Sequence, residues 1–312
     1  MREKTGAPLM DVKKALAATE FDMEAAHAEL RKRGLAAAGK KAGRVAADGL
    51  VGVKVSDCGR YAGVVEVNSE TDFVSRNEHF LALVANAAAA VVKVDFGTLG
   101  TPAPGSAAEI PLAALEALPL PDGGETLADA AAATAATVRE NIRLRRAFVM
   151  VATGADEAIG HYVHGAVAPG MGRQAGLVKV TGAKDSDLAA AAASKVAMHA
   201  VAVSPRFLDS ASVPEDVMEG EMAILRAQTE NAGKPANIVE KIVAGRMKKF
   251  YEETCLSNQK FVVDDSKTVG KWLAGEDGLA LGAFVRVKVG EGIEVQATDF
   301  AAEVAATVAD SK

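Results

Sequence analysis

The spacing of apolar and polar positions changes period several times along the chain, and those changes divide it. Residues 1–35 keep a helical period: Val12, Ala15 and Leu16 fall on one face of 11–18, and Met23, Ala26 and Leu30 on one face of 22–34. Asp22 stands where an N-cap belongs and Gly34 where a helix stops, so a small helical module is expected here. An Ala/Gly stretch carrying several lysines and arginines, 36–48, reads as a linker. From Gly49 the period becomes two. Residues 50–55 and 61–67 predict strands joined by the turn Ser56-Asp57-Cys58-Gly59. Ser75 and Glu78 are spaced as a capping box ahead of Phe80, Leu81, Leu83 and Val84, which predicts a helix and leaves Thr71, Asp72, Phe73 and Val74 between strand and helix.

Five of the ten prolines lie between 102 and 121, marking an irregular connection and the expected end of a first half, 49–124. A second half, 125–213, is predicted to hold a helix at 127–141, strands at 145–152, 161–168 and 176–181, and a helix at 187–203. Residues 59–67 (GRYAGVVEV) align without gaps on 172–180 (GRQAGLVKV), with six identities in nine positions. The two halves therefore read as related α+β units, each a hairpin whose second strand leads into a covering helix. Continued without gaps, that alignment puts Asp185-Ser186 where the first copy has Asp72-Phe73. Residues 214–231 and 236–253 predict two helices forming an antiparallel hairpin, with Glu215 and Asp216 near the positive end of the first dipole. Their apolar stripe (Val217, Ile224, Leu225; Ile238, Ile242, Val243) is narrow, which predicts a projecting arm. Residues 254–312 return to the core through a strand at 284–289 and a helix near 300–308.

Composition narrows the function. At 312 residues with 49% hydrophobic and 24% charged positions, the chain is long enough for about two globular domains. Only 4% is aromatic, so the core must be small and aliphatic. A net charge of −6 argues against a partner held mainly through its phosphates. Cys58 and Cys255 form no CxxC pair, so neither a zinc site nor a disulfide framework is expected.

Chemistry is sparse. Neither GxxxxGK[ST] nor GxGxxG occurs between strand and helix, so no bound nucleotide is expected, nor any cofactor or resident metal. His161 and His164 resemble a ligand pair, but residues three apart on a strand point to opposite faces. No serine or cysteine has a nucleophile's setting, so the chain reads as a non-enzyme. What remains is Phe73, an apolar residue in polar surroundings. It reads either as a hydrophobic staple closing the following helix or as a wedge for a partner.

Four blocks then carry a resemblance: TGAPLMDVKKAL at 5–16, EVNSETDFV at 66–74, GRMKKF at 245–250 and VGEGIE at 289–294. In order along nearly the whole chain, they resemble the elongation factor Ts family, and most of all its plant and algal mitochondrial forms. The proline-rich interval from 97 to 124 departs from the family pattern, and the chain opens part-way into the family's first helix. The resemblance implies an α+β fold with an N-terminal three-helix, UBA-like module, two related subdomains with antiparallel sheets, and a projecting coiled-coil hairpin. It implies guanine-nucleotide exchange on elongation factor Tu, GDP-bound or nucleotide-free, with no direct contact to nucleic acid or membrane. Thr71, Asp72, Phe73 and Val74 match the segment that intrudes beside that partner's magnesium and phosphate site. Arg2, Leu9, Met10 and His164 match further contact positions, Leu9 replacing a more usual methionine. A mitochondrial matrix location follows, with the bacterial cytoplasm as the alternative. Two competing readings are a ribosome- or RNA-associated protein using the basic linker, and a metal-dependent hydrolase using His161 and His164.

Overall fold

The computed structural model describes residues 1–2, 7, 9–41, 43–99, 102, 105–230 and 236–294. Mixed helix and antiparallel sheet make an α+β fold with two sheets packed face to face. In the first sheet, β1 (Asp48–Val55) and β2 (Tyr61–Ser69) form the predicted hairpin, with Asp48 opposite Ser69 and Val55 opposite Ala62. β3 (Ala108–Ile110), β4 (Arg143–Val151) and β6 (Met171–Gly172) complete it in the order β3-β4-β2-β1-β6. The second sheet is β10-β7-β5, built from β5 (Ala158–His164), β7 (Gln174–Thr181) and β10 (Ala280–Lys288). A short hairpin of β8 (Lys260–Phe261) and β9 (Asp264–Thr268) stands apart from both.

The central strands are apolar on both faces because each face meets a different layer. Val51, Val53, Ala62 and Val64 point inward to meet Ala175, Leu177 and Val287 of the second sheet. Leu50, Val65 and Val67 point outward under α3 (Glu78–Val91), α4 (Leu112–Ala117) and α5 (Leu127–Val138). On the far side, Val178 and Val180 pack under α6 (Ser186–Val203) and α9 (Val269–Gly275). Period-two alternation thus gives a helix–sheet–sheet–helix stack.

The repeat is visible in three dimensions. Gly52 on β1 and Gly63 on β2 lie under α3, where a Cβ would come within 2.7 Å of Val84 and Val91. Gly160 on β5 and Gly176 on β7 lie under α6, against the backbone of Ala193–Ser194 and Ala197. Gly52 pairs with Val65 and Gly160 with Val178, so the glycines hold the same places in both hairpins. The repeated arginines reach into opposite halves. Arg60 donates to the Gly154 carbonyl (2.9 Å), while Arg173 donates to Gly49 (3.1 Å) and Asp48 (2.5 Å).

Several expectations change. The proline-rich stretch predicted as an irregular connection holds β3 and α4. The strand predicted to open the second half is β4, and it pairs with β2 in the first sheet, Val65 opposite Ala147. The segment from α3 to α5 covers one face of the first sheet and returns the chain to β2's free edge, where Ala147 and Val149 become fully buried. In the N-terminal module, α1 (Leu9–Ala18) and α2 (Met23–Lys41) form, with Asp22 capping the second through the Ala25 amide. Yet α2 does not stop at Gly34 but runs on to Lys41, into the first part of the expected linker. Gly34 is there for close approach, since a Cβ would stand 2.8 Å from the Ala136 methyl of α5. Of the expected three-helix module, two helices lie among the described residues.

α7 (Glu215–Glu230) and α8 (Ala236–Thr254) pack on each other through Leu225, Val239, Val243 and Met247, a cluster separate from those of the sheets. Its base is joined to the core: Phe207 and Arg206 donate to the Thr254 carbonyl, and Gln259 donates to that of Glu253. Gln259 also meets buried His199 on α6 at 3.0 Å. The break at 232–235 and the predicted helix near 300–308 lie outside the described residues.

Candidate partner-binding site

β2 ends at Ser69 and the chain turns through a short 3-10 helix, Asp72–Arg76, before α3. The helix N-cap is Asn77, whose side chain accepts from the His79 and Phe80 amides. Ser75 therefore does not form the predicted capping box. It is buried, and its hydroxyl donates to the Gly49 carbonyl (3.4 Å). In the second copy the N-cap is Asp185, accepting from Asp187 and Leu188. Asp185 thus does the work of Asn77, and the gapless pairing with Asp72 fails at this point. Between strand and cap the first copy has seven residues (70–76) and the second has three (182–184). Phe73 lies in the additional turn.

The four predicted residues divide by environment. Val74 is buried in the core of the first half, anchoring the turn. Thr71 donates its amide (2.9 Å) and hydroxyl (2.6 Å) to the Glu140 carboxylate. Asp72 is exposed. Phe73 is 85% exposed, so it closes no helix and the staple reading is removed. The Phe73 ring thus stands in water on a turn whose flanks are fixed by Thr71 and Val74.

The other predicted contacts are also on the surface. Leu9 and Met10, in the first turn of α1, are 60% and 59% exposed, and Arg2 is exposed. His164 ends β5, exposed beside the Tyr162 hydroxyl, and its carbonyl accepts from the Arg173 amide. Because the Arg173 side chain binds Asp48 and Gly49, and Ser75 also binds Gly49, His164 and the Phe73 turn lie at the same end of the stacked sheets. Two basic residues of the expected linker are engaged within the chain, Lys41 with the Arg139 carbonyl and Arg44 with Glu70, and Arg33 just before it pairs with Glu29. Glu70, Glu140 and Asn141, which hold the Phe73 turn, carry no local signal in the sequence, because their partners lie about 70 residues away.

A family model described as elongation factor TS matches residues 70–291, a span from the Phe73 turn to the end of the second sheet. The chain belongs to the elongation factor Ts family. It is 54% identical over 314 residues to the mitochondrial elongation factor Ts of Ostreococcus tauri, covering 99% of this chain and 90% of that one. It is 43% identical over 311 residues to elongation factor Ts of Paramagnetospirillum magneticum, covering 98% and 94%. For the Brucella ovis protein the identity is 45% over 313 residues, covering 98% and 95%. Elongation factor Ts proteins are nucleotide exchange factors for elongation factor Tu in translation elongation, a role filled by binding a protein. Among the described residues, no helix is long and apolar enough to cross a membrane.

Proposed function

We propose that this protein releases GDP from elongation factor Tu by seating the Asp72–Phe73 turn beside that partner's magnesium and phosphate site. The observation that carries the reading is Phe73, almost wholly exposed on a turn whose flanks are fixed by buried Val74 and by Thr71 bonded to Glu140. The mechanism is linkage. A ligand that prefers the partner conformation with a displaced magnesium lowers GDP affinity by the same factor that GDP lowers its own binding. Magnesium compensates the charge of the diphosphate, so displacing it speeds release. Arg2, Leu9 and Met10 supply a second contact, on the partner's nucleotide-binding domain, and His164 a third.

The protein itself holds no nucleotide or metal in this scheme, and it engages both GDP-bound and nucleotide-free partner. The Ostreococcus relative, named as mitochondrial, supports placement in the mitochondrial matrix. The test is stopped-flow release of labelled GDP from elongation factor Tu. The parent protein accelerates release, while folded Phe73→Ala at saturating concentration is at least about tenfold slower, a loss of ~1.4 kcal/mol of differential binding. Equal rates for the two proteins overturn the mechanism.

A further inference from the structure

The turn carrying Phe73 has four residues more than its counterpart, and Glu140 and Asn141, just after α5, hold it in place. Glu140 takes two hydrogen bonds from Thr71 through both carboxylate oxygens, one from the amide and one from the hydroxyl. The Asn141 amide donates to Glu70 (2.6 Å), and its side chain donates to the Arg44 carbonyl (2.7 Å). Arg139, left-handed at φ 64°, turns the chain between them and α5. Arg139, the first of these three consecutive residues, holds the N-terminal module. Lys41 at the end of α2 donates to the Arg139 carbonyl (2.5 Å), and the Arg139 guanidinium stands 3.5 Å from Asp11 of α1. The surface bearing Leu9 and Met10 and the turn bearing Phe73 are thus fastened to one three-residue strut.

We infer that this strut sets the position of Phe73 relative to the N-terminal module, and that Glu140 is a positioning residue for exchange. The inference rests on the proposed role of Phe73. A single bond would leave Thr71 free to rotate, whereas two bonds from one rigid carboxylate fix its place and its orientation. Thr71 is two residues from Phe73, so an error there is carried to the ring with little attenuation. When a group must fit a partner's site, a displacement of about 1 Å is enough to slow the reaction substantially. The fold does not depend on this bond alone. Val74 remains buried, Ser69 donates to the Thr71 carbonyl (2.8 Å), and Ser75 still holds Gly49.

The test is labelled-GDP release from elongation factor Tu at saturating exchange factor, with melting followed in parallel. Glu140→Ala is expected to melt close to the parent and to release GDP about fivefold or more slowly. Glu140→Gln can accept from the Thr71 amide and donate to its hydroxyl, so it should stay within about threefold of the parent. Combined with Phe73→Ala, Glu140→Ala should add less than about twofold, because it acts through a ring that is no longer there. Should Glu140→Ala fail to fold, Thr71→Val, which removes only the hydroxyl bond, is read in the same cycle. A parent-like rate for the alanine variant, or losses that multiply in the double variant, overturns the inference. If Phe73→Ala itself is silent, it is the wedge mechanism that fails.

Discussion

Gly290 donates its amide to the carboxylate of Glu66 across 224 residues of sequence, at 2.8 Å. Glu66 is fully buried on β2, and Arg145 (2.8 Å), Arg146 (2.7 Å) and Asn68 (3.0 Å) close around the same two oxygens. One carboxylate therefore joins β2, β4 and the turn that follows β10. Burial alone would raise its pKa; the Gly290 amide, the two guanidinium groups and the Asn68 amide outweigh it and hold the group below the usual carboxylate range.

The sign of the pH dependence follows. A carboxylate whose folded pKa is depressed stabilises the fold fully above its unfolded value, near 4.5, and that contribution is lost as pH falls through the folded pKa. Glu66→Gln should lower stability at pH 7 by about 3–5 kcal/mol, since two partly buried arginines lose their buried carboxylate and Arg146 keeps only the more distant Glu291, at 3.7 Å. It should also flatten the decline in melting temperature between about pH 5 and pH 3. Melting curves for parent and variant across that range check both statements.

The four helix-facing glycines should not tolerate alanine equally. At Gly160 an added Cβ would lie 2.1 Å from the Ser194 backbone nitrogen, and backbone cannot move aside as a side chain can. At Gly63 the nearest atom is a Val91 methyl at 2.7 Å. Gly63→Ala should cost about 1–3 kcal/mol, and Gly160→Ala more than that or folding altogether. Urea denaturation of the two variants orders them.

Asp72 and Asp185 occupy matching places in the gapless repeat alignment and should give opposite phenotypes. Asp185→Ala removes an N-cap that accepts two amides, so it should lose about 1 kcal/mol of stability and leave GDP release unchanged. Asp72→Ala should melt like the parent and slow release. Ser186→Ala should affect neither. Paired melting and exchange measurements would show a reversed pattern if Asp72 were the structural one.

The α7–α8 pair has its own apolar cluster, so replacing 215–250 with a short Gly/Ser linker should leave a cooperatively melting core. Extending the deletion through Thr254 removes the carbonyls that bind Arg206, Phe207 and Gln259 and should lower the melting temperature by several degrees. A broad transition for the shorter deletion would show that the pair is part of the core.

Local patterns made much of this fold legible. The β1–β2 hairpin, the longer helices and the setting of Phe73 follow from spacing and turn residues within about a dozen positions, and the repeat from two matching nine-residue blocks, whereas β3, α4, the β8–β9 hairpin and α9 are not among the predicted elements. What stayed hidden depends on distant partners. Gly34 looks like a stop until α5 is beside it, and Ser75 looks like a cap until Gly49 takes its hydroxyl. β4 reads as the start of a new half because nothing in its own residues states that its neighbour is β2. Glu140 is an ordinary surface glutamate in the sequence, and its task appears only once Thr71 is brought to it.

The duplicated core carries its own symmetry, down to the two arginines that each clasp the opposite half. The two repeated hairpins by themselves would offer a visitor two similar ends. Four added residues on one copy, braced by the strut on that side of the repeat, abolish the equivalence. Handedness of approach is thereby written into chain length, and any partner that reads the phenylalanine has only one way round to sit.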